Sequence, residues 1–136
     1  MCNNEYPTPN CTQTCQSNYP KTYSQDKHFG ISVYSISNNV GQTEQEIMSN
    51  GPVEASFDVY EDFLTYRSGV YRHVSGDYVG GHAIKILGWG VDKTNTPYWI
   101  CANSWNKYWG NNGYFLILRG HDECGIEEFI VAGISK

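Results

Sequence analysis

From residue 28 onward the chain is a series of short alternating or apolar stretches separated by turns, and only two short stretches carry helical signals. Phe29, Ile31, Val33 and Ile36 alternate imperfectly with serine and tyrosine, which predicts a half-buried strand over 28–36. Thr43-Glu44-Gln45-Glu46 has the form of a capping box, with Thr43 accepting from the Glu46 amide and Glu46 reaching back. It predicts a short helix to about Ser49, stopped by Asn50-Gly51-Pro52. Residues 53–59 read as a strand, 61–66 as one or two helical turns halted at Ser68-Gly69, and 70–74 as a further strand. Apolar runs at 82–89, 97–103, 114–118 and 128–134 follow, separated by Gly- and Asn-rich turns. This spacing predicts an α+β chain that is mainly antiparallel β, with a barrel-like or sandwich arrangement. Residues 1–26 are polar, contain Pro7, Pro9 and Pro20, show neither period, and read as irregular loop ahead of a single domain over 27–136.

Composition narrows the class of partner. At 136 residues, 40% hydrophobic and 17% charged, the chain has the balance of a globular domain that buries about two-thirds of its unfolded surface. The net charge of −5 and the lack of a Lys/Arg cluster argue against nucleic acid as a partner. No apolar run approaches the roughly 18 residues of a membrane span, and the residues from Met1 to Glu5 lack the basic and apolar regions of an export signal.

The cysteines point the other way. Cys2, Cys11 and Cys15 lie in the polar loop, and Cys101 and Cys124 lie far along the chain. Loop cysteines with little core around them read as part of a secreted disulfide framework, and an odd count leaves at least one thiol free or paired outside the chain. Scattered thiols of an intracellular protein are the plainer alternative. The spacings lack the second Cys or His pair of a zinc knuckle, so no metal and no cofactor is expected. Asn10-Cys11-Thr12 is an N-glycosylation sequon, a common chance triplet that nonetheless favours a secretory route.

Two segments carry chemistry. Gly80-Gly81-His82-Ala83-Ile84 starts an apolar strand with an imidazole behind two glycines, where a ligand or a backbone can approach closely. Cys101-Ala102-Asn103-Ser104-Trp105 ends the next strand with an amide and an indole. Adjacent antiparallel strands bring such residues together. An Asn carbonyl accepting from one ring nitrogen fixes the tautomer and leaves the other nitrogen for a nucleophile, and Trp105 can cover the contact. Each signal alone is weak, because a His beside glycines is more often structural and an Asn at a strand end is more often a turn residue.

Together with their surroundings these segments resemble papain-like cysteine proteases. Similar blocks run through the sequence from 80 to 90, at Pro97-Tyr98-Trp99, at Asn103-Ser104-Trp105 and from Trp109 to Phe115. The chain resembles the cathepsin B branch in particular, at Asn50-Gly51-Pro52-Val53-Glu54, Tyr60-Glu61-Asp62-Phe63, Ser68-Gly69-Val70-Tyr71 and Arg119 to Glu127. The Cys2, Cys11, Cys15 spacing is similar to the stretch after that branch's occluding loop. The resemblance implies the C-terminal, right-hand barrel-like domain of the papain-like fold, in a lysosomal or secreted parent protein acting on peptide or protein substrates. His82 then forms an ion pair with a catalytic thiolate and later protonates the leaving amine, and Asn103 orients it. Trp105 shields that contact and, with Val59 and Leu64, lines the primed side. Ser56, Ala83 and Phe129 line the S2 pocket, and Gly81 belongs to the cleft. Where cathepsin B carries a glutamate at the position of Phe129, this chain is aromatic, which implies an apolar S2 that does not favour arginine.

The family's nucleophile motif is not found around any of the five cysteines, and the thiolate of such enzymes precedes the His by about 130–150 residues. By resemblance, the partners of Cys2, Cys11 and Cys15 lie upstream too. Cys101 and Cys124 read as packed thiols, and His28, His73 and His121 as structural or surface residues. The chain is therefore expected to carry half of a Cys-His-Asn site, to require an N-terminal left domain as partner, and to meet cystatin-type inhibitors in the parent. The alternative is a short non-catalytic protein that binds peptides or inhibitors.

Overall fold

A computed structural model describes residues 9–135 of the chain. Among them run seven strands: β1 (Gly30–Ile36), β2 (Val53–Tyr60), β3 (Val70–Tyr71), β4 (Tyr78–Val91), β5 (Pro97–Ala102), β6 (Tyr114–Leu118) and β7 (Ile130–Ser135). Helix α1 (Val40–Asn50), the single turn α2 (Glu61–Leu64) and a 3-10 turn (Glu123–Gly125) complete the fold. The strands form one sheet in the order β1-β7-β2-β4-β5-β6-β3, antiparallel except where β3 meets β6. The expected α+β, mainly antiparallel architecture is thus an open sheet with β1 and β3 at its edges. Residues 9–29 contain turns but no strand or helix, while Cys2 lies outside the described residues.

Alternation explains the core. On β2, Val53, Ala55, Phe57 and Val59 turn inward and Glu54, Ser56 and Asp58 outward. Ile84 and Ile86 of β4, Trp99 and Cys101 of β5, and Phe115 and Ile117 of β6 meet them. Phe63 of α2 is fully buried at the centre of an aromatic cluster, edge-on to Phe57 at 5.0 Å and to Phe115 at 4.9 Å between ring centres.

Three expectations are corrected. The helix cap is Asn39, whose side chain accepts from the Gln42 amide at 3.0 Å, so α1 starts ahead of Thr43. Thr43 is instead buried within the helix and donates to the Asn39 carbonyl, and Glu46 accepts from the Tyr34 hydroxyl and Asn50. The strand at 28–36 forms from Gly30, but Phe29, Ile31 and Val33 are exposed, Val33 at 79%, while Tyr34 and Ile36 pack on the core. The strand at 70–74 ends after Tyr71, because the backbone amides of Val74 and Ser75 turn to the Asp62 carboxylate instead of a neighbouring strand.

Candidate active site

β4 carries His82 to the end of the core. The imidazole follows Ile84 and Ile86 on the inward side of the strand, pairs across the ladder with Phe57, and lies 6.2 Å from that ring. Upstream, the register shifts between Val59 and Tyr60: Val59 pairs with Gly80 and Tyr60 with Tyr78, so Val79 is the extra residue of a bulge. The bulge sits next to Gly80 and Gly81, immediately before His82.

Asn103 comes from the residue after β5, where its amide donates to the Gly113 carbonyl at 2.9 Å. Its side-chain oxygen lies 2.8 Å from His82 Nε2 and also takes the Ser104 amide at 2.7 Å. A backbone N–H only donates, so the atom facing Ser104 is the oxygen, and His82 Nε2 must then be the donor to it. The neutral imidazole therefore has its lone pair on Nδ1, the nitrogen available to a nucleophile.

Trp105 covers this pair. Its ring stacks on the imidazole, with centres 5.2 Å apart and planes 27° from parallel, and is 36% exposed. Trp109 braces it edge-on at 5.0 Å and is itself fixed by an indole N–H donating to the Leu64 carbonyl at 3.0 Å. The turn that returns the chain to β6 needs glycine at 110, where φ is +58° and a Cβ would come within 2.7 Å of the Tyr114 carbonyl.

The remaining sequence-predicted residues divide between the two faces of the sheet. Ser56, Gly81 and Phe129 meet in a hollow of about 190 Å³ beside Asp58, Cys124 and Glu128, and the Ser56 amide donates to the Phe129 carbonyl at 3.3 Å. Phe129 is 68% exposed there. Ala83 pairs with Ser56 across the ladder but lines a neighbouring depression with Asn103 and Val33. Leu64 is exposed on α2. Val59 is placed elsewhere: at 3% exposed it belongs to the core and offers almost no surface to a ligand. Phe57, Phe63 and Trp109 support the imidazole and indole without having been singled out from the sequence for that role; the inward alternation of Phe57 with Val53, Ala55 and Val59 was the available signal.

The described cysteines form no disulfide with one another. Cys101 is fully buried among Ile86 and Phe115, and burial pushes its thiol well above the usual range. Burial, aided by the Glu123 carboxylate, pushes the Cys124 thiol up to about 12. Neither is an activated nucleophile. Among the described residues, no group of His, Cys, Asp or Glu is arranged to hold a metal ion, and no helix is long and apolar enough to cross a membrane.

An inward imidazole held by an Asn oxygen and roofed by an indole, on an antiparallel sheet, is an arrangement of the papain class. The papain family cysteine protease profile matches residues 2–134, and the chain belongs to that family. Within it, the relatives are cathepsin B-like. A cathepsin B-like cysteine proteinase of Schistosoma japonicum is 59% identical over 131 residues, covering 96% of this chain and 38% of the relative. A gut-specific cysteine proteinase of Caenorhabditis elegans is 54% identical over 132 residues, covering 97% of this chain and 40% of the relative. Procathepsin B S9 from Trypanosoma congolense superposes with a TM-score of 0.87 at 42% identity, covering 97% of this chain and 44% of that one. The bromelain protease of Ananas comosus gives 0.68 at 26% identity over 78% of this chain and 51% of its own. The chain thus spans about two-fifths of the length of the curated relatives it matches.

Proposed function

We propose that this chain is the right-hand portion of a secreted or lysosomal cathepsin B-like cysteine endopeptidase and supplies His82 and Asn103 to a Cys-His-Asn site. The nucleophilic thiol and the other wall of the cleft belong to a left domain outside this sequence. The observation that carries the reading is the tautomer: Nε2 donates to Asn103, so Nδ1 is left to take the thiol proton. The thiolate then attacks the peptide carbonyl, and the protonated imidazole returns the proton from Nδ1 to the leaving amine. Trp105 keeps water from the His82–Asn103 bond while this happens. Ser56, Gly81 and Phe129 bound the S2 side of the substrate, with Ala83 beside them, and Leu64 and Trp105 the primed side. Cystatin-type inhibitors would occupy the same cleft.

Without a thiolate, His82 has nothing to activate, and the 136-residue chain is inert alone. The test is made on the parent protein, whose transcript is expected to carry an in-frame Gln-x-x-x-x-x-Cys segment upstream. Purified parent should hydrolyse a Phe-Arg reporter and lose that activity on His82→Ala. A parent without peptidase activity, or an in-frame stop upstream, would favour a non-catalytic peptide- or inhibitor-binding protein.

A further inference from the structure

Ahead of the sheet, the segment 9–15 stands apart from the rest of the chain. No residue in it makes a hydrogen bond with another described residue; the first such bond is from the Tyr19 amide to the Gln16 carbonyl. None of residues 9–29 enters the hydrophobic core, and none lines the depression beside Asn103 or the hollow at Phe129. Within this segment lies Asn10-Cys11-Thr12, and no other asparagine in the sequence is followed two places later by Ser or Thr. Asn10 and Thr12 are both exposed. The middle position is not proline, and neither is Gln13 after it, so the backbone is free to present the asparagine amide and the threonine hydroxyl together.

We infer that Asn10 is an acceptor for an N-linked glycan. The inference rests on the secretory routing proposed for the parent. The co-reactant is a lipid diphosphate oligosaccharide. Asn10 Nδ2 forms a bond to the anomeric carbon of its first sugar, the anomeric C–O bond to the diphosphate breaks, the lipid diphosphate leaves, and the amide gives up one proton. The Thr12 hydroxyl holds the acceptor in register by hydrogen bonding to the transferase. This chain accommodates the product, since Asn10 is exposed, packs on no core residue and lines neither the depression beside Asn103 nor the hollow at Phe129. The glycan therefore shields the loop over 9–29 and leaves turnover unchanged.

Two arms test this separately from the routing. In the first, the full parent is translated behind a foreign signal peptide into microsomes. A mobility shift that glycosidase removes, with Asn10 converted to Asp in the peptide mass, is expected in the wild type, and it should be lost from this site in both Asn10→Gln and Thr12→Ala. An unmodified Asn10 in imported parent overturns the proposal, whatever the native routing. In the second arm, the parent is expressed with its own leader. A glycosylated Asn10 on exported or vesicular protein supports the site in its native setting, and protein confined to the cytosol overturns both the routing and the modification. Turnover of a Phe-Arg reporter is expected to be equal for wild type and Asn10→Gln; a loss of activity in a folded Asn10→Gln protein would overturn the placement of the glycan away from the cleft.

Discussion

Asn103 Oδ1 accepts two hydrogen bonds at once, from His82 Nε2 at 2.8 Å and from the Ser104 amide at 2.7 Å, and the second identifies the atom that receives the first. Asn103→Ala in the parent enzyme frees the imidazole to rotate and to exchange tautomers. We expect kcat/KM to fall by about 10²-fold, mostly in kcat, because orientation is lost and substrate binding is kept. Trp105→Ala exposes the same bond to water and should produce a smaller loss with the same kcat character. Steady-state kinetics on one reporter measures both.

Phe129 is the accessible aromatic in the hollow shared with Ser56 and Gly81. The wild-type parent should prefer Val-Arg or Phe-Arg reporters over Arg-Arg. Phe129→Glu should raise kcat/KM for Arg-Arg relative to Phe-Arg by about tenfold or more, through a charge pair with the P2 guanidinium. Efficient Arg-Arg cleavage by the wild type would rule this out.

Asp62 connects α2 to the segment after β3. Burial pushes its carboxyl up, but hydrogen bonds from the Tyr71 hydroxyl, the Val74 amide, His73 and the Ser75 amide outweigh burial and hold it well below the usual carboxylate range. A carboxyl depressed by folding contributes stability that is present above its unfolded value, near ~4, and is lost as pH falls through the folded value. Asp62→Asn in the parent should therefore cost about 1–3 kcal/mol at pH 7, and the gap to wild type should narrow as pH falls below ~4. Thermal melts across that range would show it.

Glu127 is a buried carboxylate with three donors: the Trp99 indole at 2.8 Å and the Gly120 amide at 2.6 Å on one oxygen, and the Asp122 amide at 3.0 Å on the other. Glu127→Ala strands three N–H groups and should cost about 3 kcal/mol or more in denaturant unfolding. Glu127→Gln keeps one acceptor oxygen but turns an amide N–H₂ toward a donor, so an intermediate loss is expected.

Exposed Ile31 and Val33 of β1, with Phe29 just ahead of it, leave apolar surface at the edge of the sheet. The isolated chain should aggregate, and co-expression with the left domain should raise its soluble yield. A soluble, cooperatively melting isolated chain would count against a missing partner on this side.

Much of the fold was legible from local signals, alternation at 53–59 and apolar runs between Gly- and Asn-rich turns at 97–103 and 114–118, and all three form strands close to the expected limits. The misreadings come from contacts that lie outside the local pattern. Thr43 and Glu46 have capping-box spacing, yet Asn39 takes the cap because it precedes the first helical residue and Thr43 is needed inside. The pattern at 28–36 is amphipathic, but only the whole sheet decides which side is covered, and here β7 and the core take Tyr34 and Ile36. His82 and Asn103 stood out because glycines flank one and a strand end carries the other, whereas Val59 entered the site through the resemblance alone, and its alternation with Val53, Ala55 and Phe57 turns it inward.

The imidazole occupies the last layer of the hydrophobic interior, in line with Ile84 and Ile86 and opposite Phe57, while Ser56, Ala83 and Gly81 lie on the other side of the same two strands. Evolution therefore meets two different tolerances within a few residues. Outward positions can drift with little effect on folding, and in the proposed peptidase that is where substrate preference would change. Inward ones are constrained by packing, and the reactive geometry is inherited along with the ability to fold.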